Sequence, residues 1–395
     1  MELSRRVKRI SPSPTMAITS RAKELRAKGV DVIGFGAGEP DFDTPDHIKE
    51  AAKEAIDMGF TKYTPPAGIP ELRRAVADKL RSENGIDYEP EQVVITDGAK
   101  QALFNLMLSV IDDGDEVVIP SPYWVTYPEQ VKFAGGTPVF VETKEIKGFA
   151  LTLEELKPAI TPRTKMVILC TPHNPTGSVI PKEELERIGH FCAERGILIA
   201  SDECYEYLTY DGFKHTSIAS ISPDIKEVTV TINALSKSFS MTGWRVGFAA
   251  GPKEIIDAMI KINSQSISNV NSIAQKAAVA ALTKPKDFLK EWLSAFDERR
   301  RYMVETLNQI PGVSCIMPKG AFYAFPNVKE LLKLGNFKDD WELAEFLLER
   351  AKIAVVPGSA FGYPGYLRLS YATSMENIEE GLKRFKEAVE ERLNG

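Results

Sequence analysis

The stretch Lys165-Met-Val-Ile-Leu-Cys-Thr171 runs into Pro172-His-Asn-Pro-Thr-Gly177, then into a charged helical pattern opened by Pro181-Lys-Glu-Glu184, and closes on Gly196-Ile-Leu-Ile-Ala-Ser201. Neither apolar run alternates with polar residues, so each reads as a strand covered on both faces. Pro181 stands where a helix start tolerates proline, and Gly196 where a helix exit favours glycine. Strand, crossover helix and strand make a parallel pair, which predicts an α/β fold.

Five runs of the same texture surround this unit: Val93 to Thr96, Glu116 to Ile119, Pro138 to Val141, Val228 to Ile232 and Val246 to Ala250. Together they predict a mostly parallel seven-stranded sheet with helices on both faces. Thr152-Leu-Glu-Glu155 supplies a capping box for a further crossover helix. After about Thr283 the texture changes to a long charged helix, Asp287 to Asn308. The apolar segments Gly320 to Pro326, Ile353 to Pro357 and Leu367 to Tyr371 and a final helix, Met375 to Leu393, follow. This reads as a smaller α+β domain. The first 45 residues hold an arm, one helix from about Ala17 to Lys28 and a glycine-rich turn, without a core of their own. The expected division is an arm at 1–15, a small domain from 16–45 with 284–395, and a large domain at 46–283.

The 395 residues are 43% hydrophobic and 26% charged, enough for a large core. Lys and Arg total 49 against 55 Asp and Glu, a net charge of −6, so no global basic field is available for nucleic acid or an anionic membrane. No apolar run approaches the roughly 18 residues that span a bilayer. The N-terminal MELSRRVKRISPSP lacks the apolar centre of a secretory signal, and a cytoplasmic protein is expected. The four cysteines form no CxxC and the four histidines no HExxH, so no metal site is predicted.

In open α/β sheets ligands bind beyond the carboxyl ends of the strands, and here those ends are unusually polar. Thr96-Asp-Gly-Ala-Lys100 leads from a strand into a helix, so the amides of Gly98, Ala99 and Lys100 face outward from a helix N-terminus suited to phosphate. Pro120-Ser-Pro-Tyr-Trp124, Thr171 to Gly177, Ser201-Asp-Glu-Cys-Tyr205 and Asn233 to Arg245 follow other strands. One edge thus offers an amine (Lys237), a carboxylate (Asp202), a phosphate cradle with Ser236 and Arg245, an aromatic plane (Trp124) and the polar groups of Asn174 and Tyr205. Singly, each has a bland reading: Trp124 as core, Asn174 as a turn residue, Asp202 as a cap, Arg368 as a surface ion pair. Pyridoxal phosphate asks for the set, because it needs a lysine for its aldehyde, an acid for its pyridine nitrogen and an anchored phosphate.

The segment Ser236-Lys237-Ser-Phe-Ser-Met-Thr-Gly-Trp-Arg245-Val-Gly resembles the cofactor-attachment signature of the class I aminotransferases, pyridoxal-phosphate enzymes of fold type I. Gly38-Glu-Pro-Asp-Phe42, Tyr63-Thr-Pro-Pro-Ala-Gly68, Asn174-Pro-Thr-Gly177, Asp202-Glu-Cys-Tyr205 and Arg368-Leu-Ser-Tyr-Ala372 follow the family order over nearly the whole chain. The resemblance implies that Lys237 carries the cofactor and then moves a proton between it and the substrate. It implies that Asp202 keeps the pyridine nitrogen protonated and that Tyr205 and Asn174 bond the ring oxygen. Trp124 stacks on the ring, and Arg245, Ser236 and the amides of Gly98, Ala99 and Lys100 hold the phosphate. Tyr63 reaches that phosphate from the neighbouring subunit of a homodimer. Arg368 clamps the substrate carboxylate with help from Asn174 and Gly38.

Substrate choice turns on the group that meets the distal end of the side chain. The dicarboxylate-specific branch uses an arginine from a segment aligning near Asn263 to Gln275, and NSQSISNVNSIAQ contains none. Another branch of aspartate aminotransferases places a lysine at the phosphate-cradling helix start, which Lys100 resembles. This implies exchange of an amino group between L-aspartate and 2-oxoglutarate, giving oxaloacetate and L-glutamate, with some breadth because a lysine is a mobile point charge. Members that also take prephenate often carry a lysine in the arm, where this chain has Ser11. Aromatic, kynurenine or alanine aminotransferase activity is the alternative within the fold. Outside it, Gly34-Phe-Gly36-Ala-Gly38 fails a dinucleotide fingerprint at Glu39, and Ser20-Arg-Ala-Lys23 matches S-x-x-K of serine hydrolases without the K-T-G element. A non-catalytic regulator that senses the cofactor is a further reading.

Overall fold

A computed structural model describes residues 2–12 and 14–394. Among them are twelve strands: β1 Ile33–Gly34, β2 Val93–Thr96, β3 Glu116–Ser121, β4 Thr137–Glu142, β5 Thr164–Cys170, β6 Leu198–Asp202, β7 Thr229–Ala234, β8 Gly247–Ala250, β9 Tyr323–Ala324, β10 Ile353–Ala354, β11 Val356–Pro357 and β12 Leu367–Ser370. Seven of them form one sheet in the order β2-β8-β7-β6-β5-β3-β4. The pairs β3·β4, β3·β5, β5·β6 and β6·β7 are parallel, while β8 runs antiparallel to both its neighbours.

Unbroken apolarity has the expected cause. Along β5, Met166 and Ile168 face one apolar cluster with the helix Ala99–Val110, whereas Val167 and Leu169 face another with Leu185, Ile188 and Cys192 of the helix Lys182–Ala193. Successive side chains on a strand point to opposite faces, so a sheet covered twice needs apolar residues at every position. Val93 and Ile95 of β2 join a third cluster with the helices Pro70–Lys79 and Ser272–Thr283.

Several element boundaries depart from the sequence reading by one to a few residues, and three departures matter for the architecture. Gly196 is not part of a strand: its φ of +63° turns the chain out of the helix, and β6 begins at Leu198. The capping box at Thr152 forms as expected, but the helix it starts spans only Leu153–Leu156 before a tighter turn over Lys157–Ala159. The run Ile353 to Pro357 splits into two strands with different partners, β10 parallel to β1 and β11 antiparallel to β12. The long helices Phe288–Leu307 and Met375–Asn394 pack beside this region around Phe296, Leu382 and Phe385. No helix of the described residues is long and apolar enough to cross a membrane.

Candidate active site

The parallel register brings Cys170, Asp202 and Ile232 level at the ends of β5, β6 and β7, and the chain leaving β7 carries Lys237 on the short helix Leu235–Ser238. These ends floor a cleft of about 710 Å³. Its wall includes Gly38, Ala99, Lys100, Trp124, Asn174, Asp202, Tyr205, Ser236, Lys237, Arg245 and Arg368. Residues scattered over more than 300 positions of sequence thus converge on one space. Of the sequence-derived candidates, Gly98 lies just behind the wall and Tyr63 lies elsewhere, 90% exposed.

Lys237 donates to the carbonyl of Gly38. Burial, with Arg368 and Arg245 nearby, holds its ammonium down at about 8 in spite of Cys204 and Glu39. An amine so poised is free to act as nucleophile or base close to neutrality. Asp202 is buried, and burial raises its pKa against the hydrogen bonds that favour the charge. Those bonds come from the Tyr127 hydroxyl at 2.7 Å and the Cys204 amide at 3.2 Å. A carboxylate held in this way gains strongly from a protonated nitrogen placed against it.

At one end of the cleft the backbone itself approaches. Gly98, at φ +81°, caps the helix Ala99–Val110, and a Cβ there would stand 2.6 Å from Arg245 Nη2. Arg245 in turn donates to the carbonyls of Asp97 at 3.0 Å and Thr242 at 2.8 Å. The Gly98 amide donates to the Thr96 carbonyl at 2.8 Å, which leaves the Ala99 and Lys100 amides at this helix N-terminus, beside a guanidinium and the Ser236 hydroxyl, able to receive an anion. Lys100, an exposed residue on the first turn of that helix, holds its ammonium 5.1 Å from the centre of the Trp124 ring, and partial desolvation of that ammonium together with Arg245 lowers its pKa.

On the far wall Arg368 projects from β12, buried among the Tyr323 and Phe361 rings. Its Nη1 donates to Asn174 Oδ1 at 3.0 Å and its Nη2 to the Gly36 carbonyl at 2.8 Å, while Nε has no partner among the described residues. A fixed guanidinium with donors to spare, opening into a cleft, is a carboxylate receptor.

The sequence profile described as aminotransferase class I and II matches residues 30–385. The chain belongs to that family. It is 56% identical over 392 residues to a probable aspartate/prephenate aminotransferase of Aquifex aeolicus, a match covering 98% of this chain and 99% of that one. It is 52% identical to an aspartate aminotransferase of Geobacillus stearothermophilus, covering 99% and 100% respectively. Among solved structures, the aspartate aminotransferase from Thermus thermophilus with maleate superposes with a TM-score of 0.94 at 47% identity, covering 98% of this chain and all of the other. The protein is an aminotransferase with the mostly parallel sheet of fold type I.

Two tyrosines of the aminotransferase cleft escape the sequence reading. Tyr127 bonds Asp202 and packs edge-on against Trp124 with ring centres 5.3 Å apart. Trp124 lies just before the helix Thr126–Ala134 and Tyr127 in its first turn, and the Tyr127 amide donates to the Trp124 carbonyl at 3.0 Å. Tyr323 shares a 2.8 Å hydrogen bond between its hydroxyl and that of Tyr205, and its ring lies under Arg368. It sits in the apolar run Gly320 to Pro326, where a tyrosine reads as core. All four cysteines are free and buried, with burial raising each thiol pKa. Asn263 and Gln275, in the segment scanned for a distal arginine, are buried and bonded to main-chain carbonyls.

Proposed function

We propose that this aminotransferase binds pyridoxal phosphate and catalyses ping-pong exchange of the amino group between L-aspartate and 2-oxoglutarate, giving oxaloacetate and L-glutamate. The single observation that carries the reading is the placement of Lys237 between two opposed receptors, the Gly98–Arg245 end for a phosphate and Arg368 for a substrate carboxylate. The residues fit the cofactor by their own chemistry. A space that any Cβ at Gly98 would fill suits a phosphate oxygen, and the buried Asp202 suits a pyridinium nitrogen. When bound, the cofactor supplies an electron sink for the charge left on the substrate α-carbon.

The chain's own side chains do the rest. Lys237 would hold the cofactor through its amine and, when free, would carry a proton at Nζ, its basicity already lowered by burial. Asp202, oriented by Tyr127, would hold positive charge on the ring nitrogen. Tyr205 and Asn174 would address the ring oxygen, Trp124 would cover the ring, and Ser236, Arg245 and the amides of Ala99 and Lys100 would bind the phosphate, the Gly98 amide being bonded to the Thr96 carbonyl. Arg368, with Asn174 and Gly38, orients the α-carboxylate. The exposed Lys100 ammonium pairs with the distal carboxylate, in keeping with the names of the relatives from Geobacillus and Thermus.

The reading extends to a cytoplasmic homodimer in which the exposed Tyr63 enters the partner's phosphate site, and to a division into arm (1–15), small domain (16–45 and 284–395) and cofactor domain (46–283). Borohydride reduction of the holoprotein followed by peptide mapping is expected to label Lys237. An unlabelled Lys237 in a protein that retains stoichiometric cofactor would discard the assignment. A panel of amino donors with 2-oxoglutarate is expected to give aspartate the highest kcat/KM, and a clear preference for alanine or phenylalanine would replace the substrate.

A further inference from the structure

On the other side of the backbone that presents Asp202 and Tyr205 lies a second buried polar cluster, none of whose members lines the cleft. Lys79, from the helix Pro70–Lys79, donates to Glu206 and, at 2.7 Å, to Asn84 Oδ1. The side chains of Lys79 and Glu206 are 2% and 7% exposed. Glu206 also accepts from Asn84 Nδ2 and from Asn233 Nδ2, each at 2.7 Å. Glu203, fully buried, accepts from Ser201 at 2.8 Å and from Ser217, and stands 3.0 Å from His215. Glu203, Glu206 and His215 bring ligating atoms within 4.8 Å of one another, but the Lys79 ammonium and the hydroxyl and amide donors already occupy them.

The cluster interleaves with the cofactor residues along the chain. Ser201, Glu203 and Glu206 alternate with Asp202 and Tyr205, and Asn233 lies four residues before Lys237. Asn233 faces two ways: its Nδ2 bonds Glu206, and its Oδ1 accepts from the Ala234 amide at 2.7 Å, at the exit of β7. One side chain therefore ties the segment bearing Asp202 and Tyr205 to the segment bearing Lys237. A buried ion pair whose work is only stability is commonly replaceable by apolar residues. A bond between two catalytic segments has a different consequence, because a reacting group displaced by a fraction of an ångström loses rate.

We infer that Asn233, anchored by the Lys79–Glu206 pair, is a positioning residue that fixes the amine of Lys237 relative to Asp202. The inference rests on the proposed attachment of pyridoxal phosphate to Lys237. The test is a pH titration of the visible cofactor band of the holoenzyme, with kcat and KM for aspartate, in the wild type, Asn233→Ala and Asn233→Ser. Loosening the tether admits water around the Lys237 nitrogen and so favours its protonated form, and the midpoint is expected to move up by about half a pH unit or more. At the optimum, kcat is expected to fall about tenfold with KM within about twofold. A Lys79→Met/Glu206→Leu double variant, which keeps the site buried but removes the anchor, is expected to show the same shift. A wild-type midpoint and kcat in whichever of these variants fold, whatever their melting temperature, would overturn the inference while leaving the cofactor reading intact. Absence of the band from the wild type itself would bring down the cofactor reading, and this inference with it.

Discussion

The deep and outer ends of the cleft are built on different principles. At the deep end Asp202, Tyr205, Asn174 and Arg368 are all buried, and each is bonded to a named partner from a distant segment. At the outer end Lys100 is exposed on the first turn of its helix and stands near the Trp124 ring, while Lys23 and Arg26 reach the cleft from the helix Pro14–Ala27. The steps common to every transamination need fixed distances, and the rigid end provides them. Accepting two different side chains in one pocket needs a charge that can move aside, and in the proposed reading the exposed Lys100 is that charge, whereas Arg26 is held by the Val32 carbonyl at 2.8 Å.

Arg368→Lys tests the rigid end most severely. It replaces a fork by a point charge and leaves Asn174 Oδ1 and the Gly36 carbonyl short of donors. The cost of about 3 kcal/mol expected for a disrupted buried charge contact corresponds to about a 100-fold loss in kcat/KM for every amino donor. A loss confined to dicarboxylates would reverse the roles of the two ends.

The depressed pKa of Lys237 gives the second test, in the cofactor-free protein. Its ammonium is held at about 8 against a usual 10.5, so between those values the unfolded chain binds more protons than the folded one and stability rises with pH. Below that window the folded protein bears the full penalty, on the order of 3 to 4 kcal/mol at about 1.4 kcal/mol per pH unit. Lys237→Met is therefore expected to melt higher than wild type near pH 7, with the gap closing as pH approaches 10.5. A constant gap across that range would mean that the amine is not strained by burial.

Tyr127→Phe removes one of two donors from Asp202 without changing shape. A hydrogen bond to a charged acceptor contributes about 1.5 kcal/mol, so kcat is expected to fall about tenfold while KM for aspartate holds. The smallest effect is expected at the outer end. Lys100→Ala should raise KM for aspartate and glutamate about fivefold, as befits an exposed ion pair of about 1 kcal/mol, and leave alanine and phenylalanine nearly unchanged. An equal loss for all substrates would show that Lys100 serves the phosphate alone.

Legibility in the sequence follows the same division. Seven apolar runs became the seven strands of the main sheet, because burial on both faces leaves an unbroken local signal. The short strands β9 to β12 lie within the three apolar segments of the smaller domain, but nothing local told their pairing: Ile353 to Pro357 is uniformly apolar, yet its halves pair with segments more than 300 residues earlier and about ten residues later. In the cleft, residues at strand ends such as Asp202 and Lys237 stood out as polar groups at apolar termini. Tyr323 was hidden within an apolar run, and the Lys79–Glu206 pair spans 127 residues, so only three dimensions connect its members. Tyr63 had a motif but, 90% exposed, no place in the cleft of its own chain.

The four buried cysteines make this chain a convenient host for spectroscopy. Their thiols are shielded and held protonated, and thiolate is the form that alkylating dyes attack. A single cysteine introduced on an exposed turn of the helix Pro14–Ala27, for instance at Lys23, can then take a fluorophore with the native thiols left in place. Emission from that reporter would track the outer wall during turnover in real time.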